Sequence, residues 1–578
     1  MAHQRKIRIR AFGVVVLFLE SLLVLIAFVA PAQQVDTGWH NVRRSSGFVT
    51  PKMNASPFAM ESNAVSFLPA VTYTLLGCLG DTVVIGDLDG DGHPDLAVAE
   101  WYQSCNGVFG PGALEVLLGN RNATFQPPVT YASGGIQALS LAIGDLNGDA
   151  KPDLAVVNSC QTLPACSSGA ATVMLGNGDG SLQPAVSYAS GGAIAVAIAI
   201  ADMDGDNHPD LVVGNACHPL AGGFACTSPG TVGILLGNGD GTFQPAVSYA
   251  AAGDQFIASL AVGDLNGDGH PDVVVIGDAG LVSVLLGNGD GTFQPQVNYR
   301  SGGYEPHSLA IGDLNGDGYP DLVVVSYCQD LTNCNGGIVS VLLGNGDGTF
   351  HAPVSYSSGG LDALSVATAD VNGDGNLDVI VTNMVGNGGN GEVGVLVGNG
   401  DGTFQAAVTF PSGGNQPESV VVSDVNGDSK PDVVLVNMCG NGACDGTIPA
   451  TVGVLLNNTT FCATTPVVTL STTPRSLWPP NGKMVPVTVS GKITDTSTGC
   501  TVRAAHYAVT DEYGEVEPSG PVILRKGGTY TFTVLLQASR LGGDMDGRLY
   551  SIYVSASNNA GKLGSQAGNV IVPHDNGK

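Results

Sequence analysis

Between residues 67 and 461 the apolar positions come in short runs separated by clusters of Gly, Asp and Asn. One stretch reads FIASLAVG, DVVVIG, LVSVLLG and FQPQVNY, beginning at Phe256, Asp272, Leu281 and Phe293. Short apolar runs bounded by turn residues predict β-strands. A polar loop, DLNGDGHPD, separates the first two runs, and GNGDGT separates the last two. The second spacer predicts a tight hairpin, since Gly and Asn accept the positive φ it needs.

The pattern repeats. DLDGDGHPD begins at Asp87, DLNGDAKPD at Asp145, DMDGDNHPD at Asp202, DLNGDGHPD at Asp264, DLNGDGYPD at Asp313, DVNGDGNLD at Asp370 and DVNGDSKPD at Asp424. The spacing averages about 56 residues, a repeat-array signature. The hairpin signature recurs from Leu117, Met174, Leu235, Leu285, Leu342, Leu396 and Leu455, the last copy degenerating to NNTTF. Four short antiparallel strands per unit, seven times over, predict an all-β fold: a seven-bladed β-propeller over residues 67–461, rather than an open solenoid. FLPAVTY at residues 67–73 matches the fourth strand of a unit but precedes the first Asp loop. It is therefore expected to complete the last blade and remove an open edge.

Each Asp loop places oxygen side chains at positions 1, 3, 5 and 9. The sets are Asp87, Asp89, Asp91, Asp95; Asp145, Asn147, Asp149, Asp153; Asp202, Asp204, Asp206, Asp210; and Asp264, Asn266, Asp268, Asp272. The remaining three are Asp313, Asn315, Asp317, Asp321; Asp370, Asn372, Asp374, Asp378; and Asp424, Asn426, Asp428, Asp432. Position 7 falls on His93, Lys151, His208, His270, Tyr319, Asn376 and Lys430, where only the backbone carbonyl is needed. Hard oxygen ligands around a sharp turn suit Ca²⁺, which takes six to eight of them at roughly 2.3–2.6 Å. The expectation is about seven Ca²⁺ ions, one per loop. Position 6 is Gly except at Ala150, Asn207 and Ser429, where Ala and Ser carry some backbone strain.

With these motifs the chain resembles the FG-GAP/VCBS repeat family, and through it the calcium-bearing propeller that heads integrin α subunits. The resemblance covers residues 67–461 and rests on DxNGDGxPD followed by VxVLLGNGDGTF. It implies a secreted or surface Ca²⁺-binding propeller concerned with adhesion or recognition. It also implies that ligands meet the face away from the calcium loops. The Phe-Gly and Gly-Ala-Pro signatures of integrins are largely missing, so integrin partners do not carry over.

Charge and cysteine narrow the picture. The formal net charge is −29, which argues against nucleic acid and makes cations natural partners. The basic N-terminus, the apolar stretch 11–30 and Ala30-Pro31-Ala32 predict an export signal over 1–32; only an uncleaved segment would make the chain a membrane partner. Residues 33–66 read as a flexible leader. The 12 Cys of an exported chain predict six disulfides. Cys160/Cys166, Cys217/Cys226, Cys328/Cys334 and Cys439/Cys444 pair between second and third strands; Cys78/Cys105 and Cys462/Cys500 remain. Strand alternation puts these loops on the face opposite the Asp loops.

Residues 462–578 leave the repeat. VPVTVSGKI, VRAAHYAV, YTFTVLL and YSIYVSAS alternate apolar and polar positions, the pattern of an Ig- or fibronectin-like β-sandwich. Asp544 and Asp546 read as a turn.

No GxSxG, HExxH or GxxxxGK[ST] motif occurs. The propeller region has only Arg121, Lys151, Arg300 and Lys430 as basic residues, too few to neutralise an acidic polysaccharide. The first expectation is therefore a non-enzymatic binding or adhesion protein with an extracellular protein or glycan ligand. A carbohydrate-binding propeller, resembling seven-bladed fungal lectins, is the alternative, with Trp101 and Tyr102 as candidates to stack on sugar. A lyase or hydrolase comes third.

Overall fold

The structure is a computed structural model of the 578-residue chain. It describes residues 65–573 apart from 103–110, 163–167, 217–229, 252–255, 278–279, 330–335, 386–389, 441–443, 445–446, 460, 462–463, 496–499, 501, 514, 516, 540–546 and 559–561. The expected export signal, Cys105, Cys166, Cys217, Cys226, Cys334, Cys462, Asp544 and Asp546 lie outside the described residues.

Every regular element among the described residues is a β-strand. In the fourth repeat these are Ile257–Gly263, Asp272–Gly277, Leu281–Leu285 and Val297–Arg300, paired in sequence order and antiparallel. The second strand is buried at every residue because both of its faces meet neighbouring sheets. That explains its unbroken apolar run where a one-sided strand would alternate. The outer strand Val297–Arg300 is only four residues long, which leaves little edge for another chain to pair with.

The repeat region holds five four-stranded sheets and one seven-stranded sheet. The larger sheet arises because Val129–Gly144, 16 residues long, is both the outer strand of the first repeat and the inner strand of the second. Apolar clusters join each sheet to its neighbour. Leu322 and Val324 of the fifth repeat meet Val274 and Ile276 of the fourth, and Val379 and Val381 of the sixth meet Val323 and Val325 of the fifth. The sequence of contacts returns on itself: Leu96 and Val98 of the first repeat pack with Val434 and Val436 of the seventh.

Closure uses the strand that precedes the first loop. Val71–Thr74 pairs antiparallel with Thr451–Leu455, with Val71 opposite Val454 and Thr74 opposite Thr451. The fold begins slightly before the expected boundary, because Val65 is buried against Val371 and Ser66 bonds Thr459.

Beyond residue 464 the strands Val467–Thr473, Met484–Thr494 and Thr529–Gln537 form one sheet. Ser519–Pro521, Val502–Asp511, Arg548–Asn558 and Leu563–Val572 form another. Val487, Val489, Tyr530, Val534, Tyr550, Ile552 and Val554 share one core. Arg548 is wholly buried there, its guanidinium bonded to Asp511 and flanked by the rings of Tyr513 and Tyr550.

Candidate metal centres

The Asp loops share one backbone design. In the fourth, the Asp264 carboxylate accepts the N–H of Gly267 at 2.7 Å and of Gly269 at 2.9 Å, curling the loop around its first residue. Asn266 Oδ1 accepts the Asp268 N–H at 2.8 Å, and Asp268 Oδ1 accepts the His270 N–H at 2.9 Å. These are Asx turns in series, which hold the side-chain oxygens of positions 1, 3 and 5 on one side. The same bonds recur in the first loop, from Gly90 and Gly92 to Asp87, from Asp91 to Asp89 and from His93 to Asp91. Carboxylate oxygens of Asp87, Asp89 and Asp91 lie within 4.8 Å of one another, as do those of Asp202, Asp204 and Asp210. Like charges at such range repel unless a cation or protons intervene. The donor set is all hard oxygen, so the residues fit a Ca²⁺ ion.

Position 6 requires the left-handed backbone. It is Gly in four loops, whereas Ala150, Asn207 and Ser429 adopt φ of 62°, 65° and 65°. Asn accepts this conformation readily; Ala and Ser are strained by their Cβ.

Position 9 is more than a candidate ligand. Asp272 Oδ2 accepts the Leu265 N–H at 2.8 Å and Oδ1 accepts the Gly287 N–H at 2.7 Å. One carboxylate thus ties the Asp loop to the start of the hairpin within its repeat. Asp95, Asp153, Asp210, Asp321, Asp378 and Asp432 do the same, each wholly buried. Burial pushes these carboxyls above their ordinary range, to about 6 for Asp210 and Asp432 and about 8 for Asp378. The backbone donors pull the other way, and neighbouring loop carboxylates add to the rise. A bound dication would reverse the balance. Spacing alone leads to the expected ligand role; the second role needed the fold, because Gly287 lies 15 residues away.

Neighbouring repeats lock together at position 2. The Leu88 carbonyl accepts the N–H of Gly180, Met203 that of Gly291, Leu265 that of Gly348 and Leu314 that of Gly402. Each donor is a hairpin glycine of the next repeat. The seventh repeat has no such glycine, and Asn457 Nδ2 donates to the Val371 carbonyl instead, at 2.8 Å. Its turn is split between the two ends of the repeat region: Phe67 bridges Asn457, and the Asn458 N–H reaches the Ser66 carbonyl.

At position 7 the side chain rests on its own hairpin. A Cβ on Gly346 would lie 2.3 Å from the Tyr319 ring, and one on Gly289 2.3 Å from His270 Nδ1. His93 Nε2 accepts from Arg121 Nε at 3.0 Å. Lys151 and Lys430 stand 3.8 Å and 3.9 Å from the carboxylates of Asp149 and Asp428.

The aromatic pair is less available than the sequence suggests. Tyr102 is 8% exposed, clustered with Cys78, Leu79 and Met438, and its hydroxyl is hydrogen-bonded to Gln137. It packs where two repeats meet, so its ring offers no face to a sugar. Trp101 is half-buried, with its Nε1 donating to Asp81 at 3.1 Å.

The Cys439–Cys444 disulfide is formed between the second and third strands of the seventh repeat. Cys78, Cys160, Cys328 and Cys500 are also disulfide-bonded, with partners outside the described residues. No helix among the described residues is long and apolar enough to cross a membrane.

No curated protein matches the chain. Solved structures similar to it include these two. One is the V. cholerae biofilm matrix protein Bap1, at 14% identity and a TM-score of 0.36, covering 68% of this chain and 91% of that one. The other is the exotype rhamnogalacturonan lyase YesX, at 15% identity and a TM-score of 0.39, covering 68% and 75%. The FG-GAP-like repeat model matches six segments, residues 87–156, 163–213, 224–275, 264–324, 329–381 and 383–435. They span more than half of the chain and carry the Asp loops and hairpins just described, and the chain belongs to the family of FG-GAP-like repeat proteins.

Proposed function

We propose that this protein is an exported, calcium-stabilised seven-bladed β-propeller that binds a ligand rather than transforming one, followed by an Ig-like sandwich. The observation that carries the reading is the sevenfold recurrence of one oxygen-lined loop, built each time by Asx turns from positions 1, 3 and 5. Seven Ca²⁺ ions, one per loop, would be held by those side chains with position 9 and the position 7 carbonyl. The ion supplies charge compensation for the crowded carboxylates. The residues themselves shape the loops, and position 9 fastens each loop to its hairpin.

The Cys439–Cys444 staple supports an oxidising destination and a ligand face opposite the metal loops, since stapled loops lose less entropy on binding. The ligand is an extracellular protein or a glycan. Trp101, half-buried beside Asp81, favours a glycan contact at the first repeat. Lyase or hydrolase chemistry stays the third reading, disfavoured by the few basic residues of the propeller region.

Calorimetric titration of the metal-free chain tests the calcium reading. The expected result is about seven sites per chain; two or fewer in millimolar Ca²⁺ would sink it. A glycan array run with and without Ca²⁺ then separates glycan from protein ligands.

A further inference from the structure

The sixth loop differs from the other six. At position 5, Asp91, Asp149, Asp206, Asp268, Asp317 and Asp428 are all exposed, but Asp374 is only 9% exposed. Asn372 at position 3 is 2% exposed, whereas its counterparts are half-buried. The cover is the split turn of the seventh repeat. Phe461 lies on the loop backbone: a Cβ on Gly373 would stand 2.6 Å from the ring. Lys430 Nζ, from the seventh loop, sits 5.7 Å from the centre of the same ring, within cation–π range. From the start of the repeat region, Val65 packs on Val371, and Ser66 and Thr459 bond each other through the Thr459 hydroxyl.

We propose that the sixth loop, residues 370–378, is an occluded cation site closed by the two ends of the repeat region, with Phe461 as its cover. The proposal rests on the calcium reading above. An ion leaves such a loop by exchanging its oxygen ligands for water, one after another. At six loops the position 5 carboxylate already faces solvent. At the sixth, Phe461 must lift before water reaches Asp374. The sixth ion therefore exchanges more slowly than the others. While it is bound it also fixes Phe461, at the end of the repeat region. Metal occupancy and the packing of that ring become one equilibrium.

The test mixes the calcium-loaded full-length chain with an excess of a fluorescent chelator in stopped flow. One ion per chain is expected to leave at least about tenfold more slowly than the rest, the factor imposed by a modest local opening. Phe461→Ala should move that ion into the fast phase while the total released stays the same. Asp374→Asn should abolish the slow phase, and Asp268→Asn should remove only fast amplitude. A wild-type chain with no slow phase, or a slow phase that survives Asp374→Asn, overturns the proposal. Failure of the calcium reading itself would appear separately, as too few ions bound before mixing.

Discussion

Asn457 Nδ2 lies 2.8 Å from the Val371 carbonyl and 3.0 Å from the Pro431 carbonyl, so one side chain joins the seventh repeat to the sixth loop and to the end of its own. Its Oδ1 accepts the Thr459 N–H, and the residue is 3% exposed. Asn457→Ala leaves two buried carbonyls and a buried N–H without partners. The expected loss is about 1–3 kcal/mol of stability, the desolvation cost of such groups. Denaturant unfolding in calcium checks it.

Position 9 and position 5 carboxylates should respond differently to chelation. Asp272 holds two buried backbone N–H groups, while Asp268 is exposed and holds one at the loop tip. Asp272→Ala should cost about 1–3 kcal/mol in EGTA, and more in Ca²⁺, where a ligand is lost as well. Asp268→Ala should lower the melting temperature in Ca²⁺ and have little further effect in EGTA. Calorimetry of both variants under both conditions decides; equal behaviour would remove the structural role assigned to position 9.

Glu100 and Glu115 form a buried carboxyl pair in the first repeat, both with no exposed surface. Glu115 accepts the N–H groups of Leu76 and Gly77. With the Gly77 N–H spent there, neither oxygen of Glu100 has a donor of its own. A shared proton turns the repulsion into a hydrogen bond. Burial, and then the Glu115 charge, hold Glu100 well above its ordinary 4.5. A group with a raised folded pKa stabilises fully below its unfolded value, and the contribution fades as pH climbs through the folded value. Wild type should therefore lose stability relative to Glu100→Gln as pH rises from the ordinary glutamate range. Urea unfolding of both proteins across that range measures the difference; a constant gap would refute the shared proton.

Ala150 holds φ of 62° at a position where four loops use Gly. Ala150→Gly should relieve strain in the second loop and stabilise the calcium-bound chain by about 0.5–1 kcal/mol. The same change at a position with ordinary φ destabilises, so the sign of the shift in melting temperature is the readout.

What the sequence made legible was whatever repeats. Asp and Gly at fixed offsets gave the loops, apolar runs gave the strands, and the likeness of FLPAVTY to a fourth strand gave its place beside the last repeat. What escaped depends on residues far apart in the chain or on a departure from the repeat. The Glu100–Glu115 pair replaces Asn158 and Thr172 of the second repeat, a substitution whose meaning appears only when adjacent strands are aligned. The strand shared by the first two repeats, the double use of Asp272 and the cover over Asp374 were hidden for the same reason. The burial of Tyr102 escapes the sequence because an aromatic beside a long loop reads as exposed until the neighbouring repeat is placed against it.

The pairing of Val71–Thr74 with Thr451–Leu455 also sets an order of events during synthesis. The first of these strands is made hundreds of residues before its partner exists. Its register cannot form until nearly the whole repeat region has emerged, and closing so long a loop is an entropically slow step. Until then the Thr451–Leu455 edge, buried along its whole length in the finished molecule, is an open template for a foreign strand. A chain truncated before residue 451 would carry a complete set of earlier repeats and an orphaned first strand, and would be expected to recruit a second molecule or aggregate.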